Sequence, residues 1–340
     1  MKKQVQCGNV KIGGGAPVSV QTMTNTATAD TEATVAQIAR LHALGADLVR
    51  VSIPDEASAE SFARITRASP VPLIADIHFD AVLALKAIEA GAAKIRLNPS
   101  NIGKKRLSEI VKAAKERGIP IRIGVNQGSV HGEITASGLA SLALDTAKEL
   151  EDMGFFDIVL AVKSSDVRRT VDAYRELADR SDYPLHVGLT ESGPPAYGTI
   201  KSSVAIGSLL MDGIGDTIRV SLSAPPETEV IAGIRILRAC GLRINFAEVI
   251  ACPTCARTNI DVEKIASILE EKTANLDKKL KIAVMGCIVN GIGESKGADF
   301  GVCGGKTQST IFRNKEILKT VPNEKILEEL LLLAGMNDGN

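Results

Sequence analysis

Lys94-Ile95-Arg96-Leu97-Asn98-Pro99 is the stretch whose reading decides the fold. Side chains of a strand alternate between faces, so Ile95 and Leu97 share one face and Arg96 and Asn98 the other. A core strand that carries a guanidinium and an amide on one face lines a site. Outward from it, short β-branched apolar runs recur at 18–23, 48–53, 73–77, 121–126, 157–162, 185–190 and 217–222. Between them lie helical patterns, among them 31–44, 81–90, 105–117, 166–178 and 227–240, several closed by a glycine such as Gly45, Gly91, Gly118 or Gly241. Eight strand-and-helix units, with strands apolar enough to be buried on both faces, predict an α/β fold, a parallel (β/α)8 barrel of the TIM type. An open doubly wound sheet would want a glycine fingerprint after its first strand. Gly13-Gly14-Gly15 precedes that strand and reads as a turn.

After Gly241 the period changes. A strand at 245–250, a helix at 261–276, strands at 281–285 and 299–302 and a Leu-rich helix at 323–334 read as a smaller α+β domain. The expected division is 1–242 for the barrel and 243–340 for the second domain.

Composition narrows the function. The 40 Lys and Arg balance 40 Asp and Glu, there is no Trp, and aromatic residues are 3% of the chain, so no footprint for nucleic acid is visible. Anion recognition has to be local. The segment Met1-Lys2-Lys3-Gln4-Val5-Gln6 lacks the apolar core of a signal peptide, and no apolar run approaches the ~18 residues of a membrane span, so a cytoplasmic protein is expected. Six cysteines are too few for a disulfide scaffold, and in a reducing compartment a Cys-x-x-Cys reads as metal-binding or redox-active instead.

In such a barrel the chemistry sits where strands end. Strand parity places Arg50 with Ser52, Asp76 with His78, Arg96 with Asn98, Arg122 with Asn126, and Ser221 with Ser223, and adds Lys163 and Glu191 at further strand ends. Three arginines and a lysine converging in a neutral protein imply an anionic ligand, and guanidinium forks fit phosphate oxygens in particular. Glu191 reads as a general acid or base. Lys163 also suits Schiff-base chemistry in an aldolase-like barrel.

Cys252-Pro253-Thr254-Cys255 is followed by Cys287 in Met285-Gly286-Cys287-Ile288-Val289-Asn290-Gly291, and then by Glu294. Both thiol segments fall in Gly- and Pro-punctuated loops after apolar strands. Two readings stand open on the residues alone. A closed structural zinc site would take Cys303 as its fourth ligand. A [4Fe-4S] cluster needs three cysteines, with a weaker ligand such as Glu294 on the remaining iron. Cys7 and Cys240 read as ordinary thiols.

Gln21-Thr22-Met23-Thr24-Asn25-Thr26, Ala75-Asp76-Ile77-His78-Phe79, Lys94 to Pro99, Arg122-Ile123-Gly124-Val125-Asn126, Gly188-Leu189-Thr190-Glu191 and the cysteine segments together resemble the 4-hydroxy-3-methylbut-2-enyl diphosphate synthase family, in its bacterial two-domain form. These are iron-sulfur oxidoreductases of the methylerythritol phosphate route to isoprenoids. The resemblance implies a [4Fe-4S] cluster on Cys252, Cys255, Cys287 and Glu294. It implies that Arg50, Arg96, Arg122, Lys163 and Ser221 bind the diphosphate of 2-C-methyl-D-erythritol 2,4-cyclodiphosphate. Asp76, His78, Asn98, Asn126 and Glu191 would line the same pocket, with Glu191 assisting proton transfer. It further implies a two-electron reductive ring opening with loss of water, flavodoxin or ferredoxin as electron donor, and a homodimer whose cluster domain serves the partner's barrel. The sequence departs from the family at Ile292, where proline is usual, and by one small residue in each of Cys-Pro-Thr-Cys-Ala-Arg and Thr-Glu-Ser-Gly. A barrel lyase or aldolase acting on a phosphate substrate, with a structural zinc domain, is the rival expectation.

Overall fold

The computed structural model describes residues 2–77, 80–97, 102–129, 135–274, 276–289, 291–295, 297–314 and 316–336. The chain forms two compact units, 1–242 and 243–340.

The first unit opens with an antiparallel hairpin, β1 (Gln4–Cys7) and β2 (Val10–Gly13), where the sequence pattern announced no strand. Eight parallel strands follow: β3 (Ser19–Met23), β4 (Leu48–Ser52), β5 (Leu73–Asp76), β6 (Lys94–Leu97), β7 (Ile121–Asn126), β8 (Ile158–Lys163), β9 (His186–Val187) and β10 (Thr217–Ile218). They pair in the order β8-β7-β6-β5-β4-β3-β10-β9, and a parallel bridge from Leu160 to Leu185 joins the two ends. The ring is the expected TIM-type barrel. The helices between the strands are α1 (Thr31–Ala43), α2 (Glu56–Ala68), α3 (Ala81–Glu89), α4 (Lys104–Arg117), α5 (Ala136–Asp152), α6 (Val167–Arg180), α7 (Pro195–Met211) and α8 (Pro226–Ala239).

Local chemistry sets these boundaries. Asp30, Asp55, Asp80 and Asp166 each cap the helix that follows, their carboxylates accepting backbone N–H groups that the helix leaves free. At the other end α4 stops at Gly118, which adopts φ 62° and returns its N–H to the last turn. The core lies between the strands' outer faces and the helices, with Val49, Val51, Ile95, Leu97, Ile121 and Ile123 fully buried. Inside the barrel, Val5, Cys7 and Ile12 of the hairpin pack on Leu48, Ile74 and Val159 near the strands' N-terminal ends. The hairpin therefore plugs the barrel at the end away from the strands' C-termini.

Strands β9 and β10 are two residues each, shorter than their sequence patterns. A Cβ on Gly188 would lie 2.3 Å from the Arg219 carbonyl oxygen, so the two backbones close up there in a way only glycine permits.

The second unit carries a mixed sheet in the order β11 (Ala247–Ala251), β12 (Leu280–Met285), β13 (Phe300–Cys303), β14 (Gln308–Arg313) and β15 (Glu316–Pro322). The first three strands are parallel and the last two antiparallel. Helices α9 (Val262–Lys272) and α11 (Ile326–Ala334) bury Leu269, Leu330 and Leu331 against Ile282, Val284 and Val302, and the short α10 (Gly291–Glu294) lies between β12 and β13. This is the α+β architecture expected, although the sequence reading missed β14 and β15. β15 is an exposed edge strand with only Val321 buried, so it shows no alternation.

Candidate active site

The C-terminal ends of the strands bring charged residues onto the inward face. Arg96 stands in register with Asp76 on one side and Arg122 on the other. Asp76 is 1% exposed and bridges two cations, with Arg50 at 3.4 Å and Arg96 at 3.5 Å. Arg50, Arg96, Arg122, Lys163 and Arg219 all line one cavity of about 100 Å³, together with Asn126 and Ser221. Glu229 supports the far wall, reaching Arg219 at 3.5 Å and accepting from Thr22 Oγ1 and the Leu222 N–H.

Five cations therefore face one small cavity against two buried carboxylates. At an effective dielectric of about 20, unit charges about 5 Å apart repel by about 3 kcal/mol, so this arrangement is costly until an anion enters. The titrations carry the same stress. Burial pulls Arg50 down to about 10, with Asp76 opposing and Arg219 and Arg96 adding to the fall. Burial, then repulsion from Arg50 and Arg96, holds Arg122 well below its ordinary value. Lys163 is lowered well below the usual lysine range by burial and then by Arg122, Arg219 and Arg50.

Glu191 stands exposed beyond β9 with φ 52°, a left-handed conformation that a non-glycine residue adopts at a cost of order 1 kcal/mol. The Gln127 side chain holds it there. Its amide donates to Glu191 Oε2 at 3.3 Å and accepts from the hydroxyls of Ser164 and Ser165. Three strand ends are thus stitched by one amide.

Of the residues expected at the mouth, the structure brings Arg50, Asp76, Arg96, Arg122, Asn126, Lys163 and Ser221 together. Glu191 is at the adjoining rim, tied through Gln127. His78 and Asn98 lie outside the described residues. Sequence reasoning missed Arg219, Gln127 and His186. Arg219 was readable, because it has the parity of Ser221. Gln127 follows its strand in a 3-10 turn, where no alternation marks it.

In the second unit Cys252 follows β11, Cys287 follows β12 and Cys303 ends β13. The Cys252 N–H extends the β11 ladder to the Val284 carbonyl, and its Sγ accepts from the Gly286 N–H at 3.1 Å. Cys255 is exposed, in a turn where its N–H donates to Thr258 Oγ1. Cys303 is buried and its thiol is pushed up to about 11, first by burial and then by Cys287 and Cys252 nearby. All six thiols are free. Among the described residues no three His, Cys, Asp or Glu side chains are close enough to hold a metal ion, and the Glu294 side chain lies outside them. The thiol donors suit a thiophilic metal, zinc or an iron-sulfur cluster. Cys252 and Cys287 leave adjacent parallel strands at the same end, and a backbone N–H already points at sulfur, as around thiolates that bind iron.

Together the fold and these sites define a TIM-barrel protein with a cationic mouth and a separate thiol-bearing domain. Comparison with known proteins makes this specific. The GcpE TIM-barrel domain matches residues 2–234 and the GcpE protein C-terminal domain matches 248–334. The chain belongs to the GcpE family, as its sequence motifs led one to expect. It is similar to 4-hydroxy-3-methylbut-2-en-1-yl diphosphate synthase (flavodoxin) of Caldanaerobacter subterraneus subsp. tengcongensis, 51% identical over 339 residues, 97% of this chain and 96% of that protein. The enzyme of the same name from Thermotoga petrophila is 51% identical over 332 residues, with the same coverage. Among solved structures, dihydropteroate synthase from Stenotrophomonas maltophilia shares the barrel, with a TM-score of 0.54 and 17% identity over 69% of this chain and 96% of that one.

Proposed function

We infer that this chain catalyses the 4-hydroxy-3-methylbut-2-en-1-yl diphosphate synthase reaction, the reductive opening of 2-C-methyl-D-erythritol 2,4-cyclodiphosphate to the linear enyl diphosphate. Two electrons and two protons enter, a carbon-oxygen bond breaks, and the oxygen leaves as water. The observation that carries this reading for the site is the convergence of five cations on one cavity of about 100 Å³.

In this reading Arg50, Arg96, Arg122 and Lys163 take the diphosphate oxygens, Arg219 joins them, and Ser221 adds a hydroxyl donor. Asp76 orients Arg50 and Arg96 through its two bridges, so their forks are set before substrate arrives. Asn126, with His78 and Asn98, completes the polar lining. Glu191, held by Gln127, sits at the rim where a proton has to be delivered or removed. A [4Fe-4S] cluster held by Cys252, Cys255, Cys287 and Glu294 would supply single electrons and a Lewis-acidic iron for the departing oxygen. Cys303, buried among Ala283, Met285 and Phe312, is read as a core thiol. Flavodoxin is the proposed electron donor, as the relatives' name states. The working form is proposed to be a cytoplasmic homodimer; six free thiols suit a reducing compartment, and among the described residues no helix is long and apolar enough to cross a membrane.

Anaerobic purification followed by assay with reduced flavodoxin tests the reading. A brown iron protein that converts the cyclic diphosphate is expected. A colourless protein with thiolate-bound zinc, whose Lys163 is trapped by borohydride with a carbonyl substrate, would overturn it in favour of the lyase.

A further inference from the structure

His186 is a buried titratable group that the mechanism above does not use. It sits on β9 facing the barrel interior, fully buried, in register with Thr217. Its Nε2 lies 3.5 Å from Lys163 Nζ, and among the described residues this is the only hydrogen-bond partner of that ammonium. No carboxylate among them reaches Lys163 within salt-bridge distance.

The surroundings fix the imidazole's place and its charge. Tyr174, itself fully buried, donates its hydroxyl to the His186 carbonyl and accepts from the Val162 N–H, which locks the β9 backbone against β8. Two residues on, Gly188 leaves room above the ring. A Cβ there would stand 3.0 Å from Lys163 Nζ. The charged groups facing the ring come from four strands: Lys163 of β8, Arg122 of β7, Lys94 of β6 and Arg50 of β4. With burial, they hold His186 well below the ordinary histidine range. The ring is therefore neutral, and a neutral ring offers one nitrogen lone pair as acceptor. For the ring to accept from Lys163 that lone pair has to be on Nε2, with the proton on Nδ1, a buried nitrogen that has no hydrogen-bond partner among the described residues.

We propose that His186 is a positioning residue, whose Nε2 accepts a hydrogen bond from Lys163 and holds that ammonium in the mouth, aimed at the diphosphate. The proposal rests on the reading of Lys163 as a diphosphate ligand. A lysine stem has four rotatable bonds, and in a nest of arginines repulsion drives its head out toward solvent. An acceptor beneath it opposes that drift and favours the protonated form of a lysine that burial and its arginine neighbours depress, without the neutralisation a carboxylate would bring.

The test is calorimetric binding of inorganic pyrophosphate to the full chain. His186→Leu is expected to weaken binding about tenfold, the effect of losing one hydrogen bond to a charged group. His186→Gln, whose carbonyl oxygen reaches the Nε2 position, should stay within about threefold of wild type. In a Lys163→Ala background His186→Leu should cost nothing further, because a residue that acts through Lys163 has no effect once it is gone. Equal losses with and without Lys163 would overturn the proposal, as would unchanged binding in His186→Leu. Should the Leu variant fail to fold, His186→Asn, too short to reach Lys163, takes its place, and equal affinities for the Asn and Gln variants would refute the idea. A wild type that does not bind pyrophosphate would overturn the reading of the mouth itself, and this inference with it.

Discussion

The barrel mouth and the cysteine domain are built on opposite principles. In the mouth, charged residues stand on regular strands, and ladder register alone brings Asp76, Arg96 and Arg122 side by side. In the second unit Cys252, Cys255 and Cys287 stand past strand ends, in loops, and among the described residues they do not close into a metal-ready set. Sheet backbone holds a binding constellation rigidly while it is empty. Loop thiols that bind a metal can take their final geometry from it, because metal-ligand bonds are strong enough to order loops. The first site is preorganised and costly; the second, on the function proposed above, would be completed by the group that it binds.

The sharpest way to break that comparison is Cys287→Ser. Iron content and turnover should fall to background while pyrophosphate affinity stays at the wild-type value, since the barrel does not depend on the thiols for its assembly. Loss of both together would show that the two sites are not independent. In contrast, Cys303→Ala should retain iron, and loss of iron in that variant would make Cys303 a ligand.

Asp76→Ala attacks the preorganised side. It removes the shared partner of Arg50 and Arg96 and leaves buried charge uncompensated, so unfolding in urea should show a loss of about 3 kcal/mol. Saturating pyrophosphate should restore part of it, because a ligand that binds only the folded state stabilises that state. A loss that pyrophosphate does not reduce would mean that Asp76 is structural and not tuned to the anion.

The mouth should also respond to alkali where the thiol domain's role is not in play. Arg50 is lowered to about 10 by burial, and Lys163 is lowered as well. A base carries its full charge only well below its pKa, so the share of pyrophosphate affinity that Arg50 supplies should be present near neutrality and fall as pH rises toward 10, while Lys163 should lose its share at a lower pH than an ordinary lysine would. Titration calorimetry from pH 7 to pH 10 checks the direction, and a constant affinity would contradict it. Smallest of all, Gln127→Ala should lower kcat about threefold with KM unchanged, since it frees the Glu191 carboxylate without touching the diphosphate ligands. A change confined to KM would place Gln127 in binding instead.

Much of the mouth was legible because strand parity is a strict period of two. Once Arg96 and Asn98 were placed on one face, the same rule picked out Arg50, Asp76, Arg122 and Ser221, and it would have given Arg219 had it been applied to every position of that strand. His186 escaped because a polar residue at the start of a strand, below the mouth, carries no sign of what lies above it. Gln127 escaped because it acts from a turn, beyond the reach of any periodic signal. The hairpin β1–β2 was missed because its strands are four residues long and only Val5, Cys7, Ile12 and Gly13 are buried in it. β15 was missed because it is exposed at the sheet edge, where no buried face imposes alternation.

By itself the sequence determined the eight strands of the parallel barrel, the change of architecture after Gly241 and the family, since these follow from periodicities and motifs written in neighbouring residues. Only the tertiary structure decided that Asp76 bridges two arginines, that Gln127 restrains Glu191 in a left-handed turn, and that His186 lies under Lys163. Those pairings join residues up to 64 positions apart. Their partners are chosen by closure of the ring, and no local pattern can announce which strand end will face which.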